Sequence, residues 1–282
     1  MNARSKLTRF ARQILPPFAV STFRYLKRSR ARPVLQYAPQ GWKTPLAKSN
    51  RGWDAGSVVT AERDKWKDFL GNLEHQGPLG FSHEHTDLEN ARNLSFHNIH
   101  ITYAYVLALA AHFKSSLSVL DWGGGLGHYH LIGKAVLPDV GFDFHVKEVP
   151  SMAAAGKVLN PEVHWYSDES CLERSYDLVM VNGSLQYMED WKQTLQRLAP
   201  AVGEYFFLTR LPIVERVPSF VAIQREYGTE MIHQQFNQAE VLKFVESLGL
   251  RCVREFVVGD RPYIQGAPEQ CELRGWLFKR ET

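Results

Sequence analysis

A glycine-rich turn between an apolar strand and a helix constrains the fold of this 282-residue chain more than any other feature. The run 117–122 is mainly apolar and predicts a buried strand, and the spacing of 128–137 predicts a helix that ends before Pro138. Four of the five residues between them, 123–127, are glycines. Glycine lets the backbone approach a ligand with no side chain in the way. This order of elements indicates a βαβ unit with a ligand site at the turn.

Strands and helices alternate along the rest of the chain. Further strands are predicted over 141–149, 163–167, 176–181 and 204–211, and helices over 151–159, 185–198 and 238–248. Strands separated by helices of this length form a parallel sheet through right-handed crossovers. The last two strands, 251–258 and 274–279, have no helix between them, which predicts an antiparallel closing pair. The sequence therefore predicts an α/β fold with a doubly wound, mostly parallel seven-stranded sheet of Rossmann-like type.

Two helices are predicted before the sheet. Thr60 is a capping residue for a helix over 61–74, and the segment 87–114 has apolar spacing without glycine or proline. We therefore expect three parts: a basic amphipathic leader over 1–50, an N-terminal helical region over 51–114, and a domain containing the glycine-rich turn over 115–282.

The first 53 residues carry a strong positive charge. They contain twelve lysines and arginines and no acid, which leaves 21 basic and 30 acidic residues in the rest of the chain. Apolar residues are interleaved with these charges, but the segment lacks the apolar core and cleavage site of a secretory signal. We predict that residues 1–35 make salt-sensitive peripheral contact with an anionic membrane surface. A basic segment without a lipid role and an organellar targeting peptide are the alternatives.

Composition disfavours several other classes of protein. The acidic body argues against a nucleic-acid enzyme, whose basic surface would surround its site. No apolar run reaches the roughly 18 residues that a transmembrane helix needs. Three cysteines without a C-x-x-C pair indicate neither a disulfide framework nor a cysteine zinc site, so a reducing, cytoplasmic compartment is expected. No carboxylate or cysteine set completes a metal site around the close histidine pairs, which are His83 and His85, His97 and His100, and His128 and His130.

The glycine-rich turn has the form acid-x-G-x-G-x-G, with Asp121 as the acid and Gly123, Gly125 and Gly127 as the glycines. The dinucleotide pattern G-x-G-x-x-G would need glycine where His128 stands. A strand-end carboxylate beside an open backbone loop suits the amino-acid part and the sulfonium of S-adenosylmethionine, which has no pyrophosphate. The turn therefore favours S-adenosylmethionine over a nicotinamide dinucleotide.

Acids follow the next two predicted strands. Glu148 lies twenty-one residues beyond Gly127, where a carboxylate can accept hydrogen bonds from both ribose hydroxyls of an adenosine. Asp168, after the third strand, is a candidate contact for the adenine amino group. A solvated strand-end acid and an ordinary loop acid are the alternatives for these two residues.

The fourth strand ends in a polar segment that contains Asn182, Ser184 and Gln186. Ligands of open α/β sheets bind outside the carboxyl ends of the strands, so these side chains are candidates for contact with S-adenosylmethionine, the methyl donor. The segment has no N-P-P-Y or D-P-P-Y sequence, which disfavours methylation of base amino groups. The absence of an aspartate at position 182 disfavours a magnesium-assisted catechol-type site.

With these motifs in view, the stretch from about 117 to 212 resembles class I S-adenosylmethionine-dependent methyltransferases. Four motifs resemble more narrowly a bacterial methyltransferase family associated with surface polysaccharide and lipopolysaccharide loci: W-G-G-G-L-G at 122–127, V-K-E-V-P at 146–150, N-G-S-L-Q-Y at 182–187 and L-T-R-L-P at 208–212. The resemblance implies S-adenosylmethionine as cofactor and a glycan or small-molecule hydroxyl as acceptor.

Four residues are candidates for catalysis. Arg210, at the end of the fifth strand, could hold an anionic group of the acceptor, with a plain surface arginine as the alternative. His97, His128 and Tyr129 flank the glycine loop and are candidates for the general base that removes the hydroxyl proton, or are structural residues. An NAD(P)-dependent oxidoreductase and a methyltransferase-like scaffold without turnover are the rival functions.

Overall fold

The computed structural model describes residues 34–46, 52–82 and 92–281, which form six α-helices and eleven strands. The strands are β1 (Leu35–Tyr37), β2 (Ser116–Trp122), β3 (Gly141–Lys147), β4 (His164–Tyr166), β5 (Tyr176–Asn182), β6 (Val202–Val214), β7 (Phe220–Glu226), β8 (Thr229–Asn237), β9 (Leu250–Val257), β10 (Ile264–Gln265) and β11 (Glu272–Arg280). The helices are α1 (Gly56–Glu74), α2 (Leu94–Ala110), α3 (His128–Val136), α4 (Pro150–Leu159), α5 (Trp191–Leu198) and α6 (Gln238–Ser247).

Seven strands have the order β4-β3-β2-β5-β6-β11-β9. The first five are parallel to one another. β11 runs antiparallel to both β6 and β9. This arrangement confirms the predicted doubly wound sheet with an antiparallel closing pair. It differs from the dinucleotide-binding fold, whose strand order is 3-2-1-4-5-6.

Helices cover both faces of this sheet, which explains why its central strands are apolar throughout. Successive side chains of a strand point to opposite faces. Leu120 of β2 accordingly packs in one core cluster with Trp191 of α5 and Val241 of α6. Its neighbour Val119 packs in a second cluster with Tyr103 of α2, and Val119 and Tyr103 are fully buried. The two cores hold the carboxyl ends of the strands in fixed relative positions.

Four strands extend the sheet beyond the seven that the sequence predicts. The end of β6 pairs in parallel with the end of β8, and β8 pairs antiparallel with β7. β1 then pairs antiparallel with β7 on one side and parallel with β10 on the other. Tyr227 and Gly228, both at positive φ, form the two-residue turn between β7 and β8, as in hairpins whose turn matches the twist of the strands. The β7–β8 hairpin thus carries the sheet past the end of β6.

Helix boundaries differ from the predicted ones in three places. α1 begins at Gly56, so that Thr60 lies inside the helix rather than at its cap. α2 begins at Leu94, because the Asn93 side chain accepts hydrogen bonds from two backbone N–H groups of the first turn. The predicted helix 185–198 is divided into a short 3₁₀ turn and α5.

The N-terminal leader falls mostly outside the described residues, since residues 1–33 and 47–51 are not among them. Its described part contributes β1 to the sheet. The membrane contact predicted for residues 1–35 therefore stays a prediction. In the part of the chain that is described, no helix combines the length and the apolar character needed to cross a bilayer.

Candidate active site

A cavity of about 390 Å³ opens at the carboxyl ends of the central strands. Its walls include the glycine loop after β2, Glu148 after β3, Gly183 and Ser184 after β5, and Arg210 near the end of β6. Because parallel strands end at one edge of the sheet, segments far apart in sequence meet here. The cavity has the size of a small-molecule site.

The glycine loop is shaped by close contacts that leave no room for side chains. A Cβ on Gly124 would lie 2.5 Å from Asp121 Oδ2, and a Cβ on Gly123 would lie 2.4 Å from the Ser184 Cβ. Gly123, Gly125 and Gly127 also take positive φ angles of 77°, 59° and 79°, which glycine adopts without steric cost. The loop thus lies directly against the carboxylate at the end of β2.

Asp121 is fully buried at the end of β2. Neither of its carboxylate oxygens has a hydrogen-bond partner among the described residues. Burial, together with the nearby Glu148 carboxylate, raises the pKa of Asp121 to about 8. A buried carboxylate without a partner is costly, and a bound cation would compensate it. The site is therefore complementary to a positively charged ligand.

Glu148 is held against the glycine loop by backbone N–H groups. Its Oε1 accepts a hydrogen bond from Gly125 N at 3.0 Å, and its Oε2 accepts one from Val149 N at 2.7 Å. Burial raises the pKa of Glu148, although the two N–H groups oppose that shift. A carboxylate has about four acceptor positions, so each oxygen retains one for a ligand hydroxyl.

The polar segment at the end of β5 presents one amide, that of Asn182, to the cavity. Asn182 is 7% exposed, and neither its Oδ1 nor its Nδ2 has a hydrogen-bond partner in the described residues. Ser184 instead donates to the Trp122 carbonyl at 2.6 Å, which ties the end of β5 to the end of β2. Gln186 donates to the Gly183 carbonyl, while its Oε1 is buried without a partner in the described part of the chain.

Arg210 is directed into the cavity by an irregularity in β6. Arg274 of β11 faces Leu211, whereas Trp276 faces Leu208, so β6 has one extra residue in this interval. Bulges of this kind re-aim a side chain and are frequent beside active sites. Arg210 also has a φ of 56°, a conformation that costs a non-glycine residue about 1–3 kcal/mol and is concentrated at functional sites. Its guanidinium lies beside Gly183.

The structure brings together most of the residues predicted for the site. His128 and Tyr129 begin α3, are buried and line the cavity, with the His128 ring packed on Trp66 and Phe69. Gly127, the third glycine of the motif, lies in the N-cap position of α3. The predicted residues that line the cavity are Asp121, Gly123, Gly125, His128, Tyr129, Glu148, Asn182, Ser184, Gln186 and Arg210.

Two predicted residues lie elsewhere. His97 is exposed on α2 and is not among the residues that line the cavity. Asp168 is also exposed, and its carboxylate accepts hydrogen bonds from the backbone N–H and the hydroxyl of Ser170, at the start of a 3₁₀ turn. The structure gives Asp168 a local capping contact rather than a place in the cavity wall.

Sequence reasoning missed the residues that complete the cavity from two other elements. Trp53 and Glu62 come from the N-terminal region, and three come from the β7–β8 hairpin: Gln224, Glu226 and His233. Glu62 is 4% exposed and accepts a 3.4 Å hydrogen bond from the Tyr227 hydroxyl. Its position one helical turn before buried Trp66 was an available signal, because acids are rarely fully buried without a functional or structural partner.

A separate cluster unites Asp143, His145 and His164, whose possible ligand atoms lie within 4.8 Å of one another. None of the predicted histidine pairs includes these residues. The guanidinium of Arg174 contacts Asp143 Oδ2 at 2.7 Å and His145 Nε2 at 3.1 Å. A positive charge thus already neutralises this cluster.

We expect Asp121→Asn to stabilise the ligand-free protein, increasingly so as the pH rises. The pKa of Asp121 is about 8 in the folded chain, against an ordinary aspartate value of 3.8, so between these values the folded state binds more protons and wild-type stability falls as pH rises. At ~1.4 kcal/mol per pKa unit, a difference of about four units makes the gain at pH 8.5 on the order of 6 kcal/mol, against little at pH 4. Urea denaturation at both pH values measures it. A gain that does not depend on pH contradicts the explanation.

No protein-family model and no curated protein sequence matches the chain. Among solved structures, the 1,6-didemethyltoxoflavin-N1-methyltransferase of Burkholderia thailandensis, bound to S-adenosylhomocysteine, has a TM-score of 0.46 and 13% identity, covering 88% of this chain and 100% of that chain. The S-adenosylhomocysteine-bound magnesium protoporphyrin IX methyltransferase of Synechocystis PCC 6803 has a TM-score of 0.47 and 14% identity, covering 79% and 99%. Mitomycin 7-O-methyltransferase has a TM-score of 0.43 and 16% identity, covering 82% and 70%.

Proposed function

We propose that this chain transfers a methyl group from S-adenosylmethionine to a hydroxyl of a glycan or small-molecule acceptor. The observation that carries the proposal is the buried Asp121 carboxylate, which has no partner in the described residues and lies beneath the glycine loop. When bound, S-adenosylmethionine supplies an electrophilic methyl group on a positively charged sulfur. A cation of this kind compensates the carboxylate, whereas a neutral ligand leaves it unpaired.

The residues around the loop fit the donor. Asp121 would face its positively charged part, and Glu148 would accept hydrogen bonds from the ribose hydroxyls. Asn182 offers an amide with both atoms unpartnered in the described residues. Ser184 supports the loop through its bond to the Trp122 carbonyl. Asp168 is not among the residues that line the cavity, so it would not contact the donor.

The charge of the cavity argues against the dinucleotide alternative. Five carboxylates line it, against two basic side chains: Glu62, Asp121, Glu148, Glu226 and Asp260, with Lys147 and Arg210. Even with Asp121 protonated, four carboxylates exceed the two basic groups, and a pyrophosphate would be repelled by this excess of negative charge. His128 also stands where the dinucleotide pattern needs its third glycine. The antiparallel β11 adds a further difference from the dinucleotide-binding sheet.

The chain contributes to the reaction mainly by positioning. Holding the acceptor oxygen in line with the methyl group supplies most of the acceleration, and a base contributes less. His128 and Tyr129 line the cavity and keep the role of candidate base, whereas the exposed His97 lies outside it. Arg210 is placed to bind an oxygen or an anionic group of the acceptor.

We expect calorimetry to detect binding of S-adenosylmethionine and S-adenosylhomocysteine, and no binding of NAD or NADP. Glu148→Ala is expected to lose about 1–3 kcal/mol of donor affinity, because the ribose hydroxyls lose their acceptor. Glu162→Ala is the matched control, since that glutamate is exposed and forms a surface ion pair with Lys134. Preferential binding of NAD would overturn the proposed function.

Donor binding is also expected to release protons. Asp121 has a raised pKa of about 8, so it is largely protonated at pH 7, and a cation bound beside it lowers that pKa. Affinity should therefore rise from pH 6 to pH 8 and then level off, with release of up to about one proton at pH 7. Calorimetry in buffers of different ionisation enthalpy measures the release. Asp121→Asn should show a smaller release and a flatter pH dependence.

An assay of methyl transfer tests catalysis, and detectable transfer would exclude a scaffold without turnover. We expect His128→Ala to lower transfer of labelled methyl groups to a saccharide panel by about 10²-fold or more, while donor binding persists. The same change at exposed His97 should alter transfer by less than about twofold, because that residue does not line the cavity. Unchanged transfer in His128→Ala would move the role of base to Tyr129 or to no protein group.

A further inference from the structure

The cavity extends along the sheet well beyond the glycine loop. Its lining side chains follow the strand order: Asp121 on β2, Asn182 on β5, Arg210 on β6, His233 on β8 and Gln224 on β7. Adjacent strands are ~4.8 Å apart, so β8 lies three spacings, or ~14 Å, from β2. Glu148 lies on the opposite side of β2, after β3. The β7–β8 hairpin therefore borders the end of the cavity that the donor contacts leave open.

A chain of hydrogen bonds fixes the hairpin against the segment after β5. The Tyr187 hydroxyl donates to Gln224 Oε1 at 2.7 Å, and Gln224 Nε2 donates to Glu226 Oε2 at 2.7 Å. The Tyr187 ring also meets the His233 ring edge-on at 5.3 Å. These contacts hold the side chains of the hairpin in fixed positions, as a specific binding wall requires.

His233 is held in one tautomer by a neighbour on the same strand. Its Nδ1 lies 2.7 Å from the Nε2 amide of Gln235, which is fully buried. The same amide donates to the His233 carbonyl at 3.0 Å, and this second bond fixes which amide atom faces the ring. Nδ1 therefore accepts a hydrogen bond, and the neutral ring must carry its proton on Nε2.

Among the described residues, the hydrogen bond of the His233 ring is made by Nδ1, which leaves Nε2–H without a partner there. The side chain is 6% exposed and lines the cavity. Burial lowers the pKa of His233 to about 4, which keeps the ring neutral near pH 7. A neutral N–H donor needs a lone pair opposite it. A hydroxyl, carbonyl or ring oxygen provides one, whereas an ammonium group offers only further donors.

We propose that the hairpin end of the cavity binds the methyl acceptor and that His233 Nε2–H donates to one of its oxygens, which selects neutral hydroxyl-bearing molecules over protonated amines. This inference rests on the proposed function, because it assigns the second substrate of the same site. His233 is a specificity-determining residue in this scheme, and Gln235 positions it.

The test uses the full chain loaded with S-adenosylhomocysteine at pH 6.5 and two probes that differ at one position: methyl α-D-glucopyranoside and its 2-amino-2-deoxy analogue in the protonated form. Saturation-transfer NMR titrations should show the hydroxyl probe binding at least about tenfold more tightly. His233→Leu should remove this preference. His233→Gln retains an N–H donor of similar reach and should stay within about threefold of wild type. His112→Leu, an exposed site after α2, is the matched control.

The outcomes separate this inference from the proposed function. Failure of S-adenosylhomocysteine to bind wild type would sink the proposed function itself. With S-adenosylhomocysteine bound, absence of hydroxyl-probe binding, or equal preference in wild type and His233→Leu, overturns the acceptor assignment alone. ¹⁵N NMR of the histidine rings supplies a readout that needs no probe. A proton on Nδ1, or a charged His233 ring at pH 6.5, also overturns it.

Discussion

The packing of the glycine loop onto Asp121 is the interaction on which the site depends. The carboxylate occupies the space where a side chain at position 124 would begin, and Ser184 occupies the space beside position 123. Ser184 in turn bonds to the carbonyl of Trp122. The ends of β2 and β5 are therefore joined through a loop whose glycines have no side chains of their own, and the backbone N–H of Gly125 orients Glu148.

The long strand β6 links the two ends of the cavity. Its first part, up to Thr209, pairs with β5, and its last two residues pair with β8. β11 pairs with β6 on both sides of the bulge. The extra residue near Arg210 lies between these parts. The strained φ of Arg210 persists because strands on both sides fix the backbone around it. One bulge thus both aims the arginine into the cavity and leads the sheet into the hairpin.

The donor half of the site could be predicted from the sequence, because a strand, a glycine turn and a following acid are local patterns. The hairpin could not, because His233 and Gln235 interrupt the apolar pattern of β8 and the turn uses Tyr227 where asparagine or aspartate is the usual signal. His233 faces a cavity rather than a core, and the buried Gln235 bonds to it. His97 is near the glycine loop along the chain, yet it lies on the exposed side of α2. Asp168 uses its carboxylate to cap a local turn.

The excess of carboxylates in the cavity explains why acceptor choice must depend on a local hydrogen bond. Glu226 of the hairpin, Asp260 and Glu148 make the cavity attractive to cations. Net charge alone would then draw an amine as readily as it draws a cationic donor. The neutral Nε2–H of His233 opposes this attraction of amines, because it offers no lone pair to an ammonium group. Because burial keeps His233 uncharged, the discrimination adds no positive charge that would weaken donor binding.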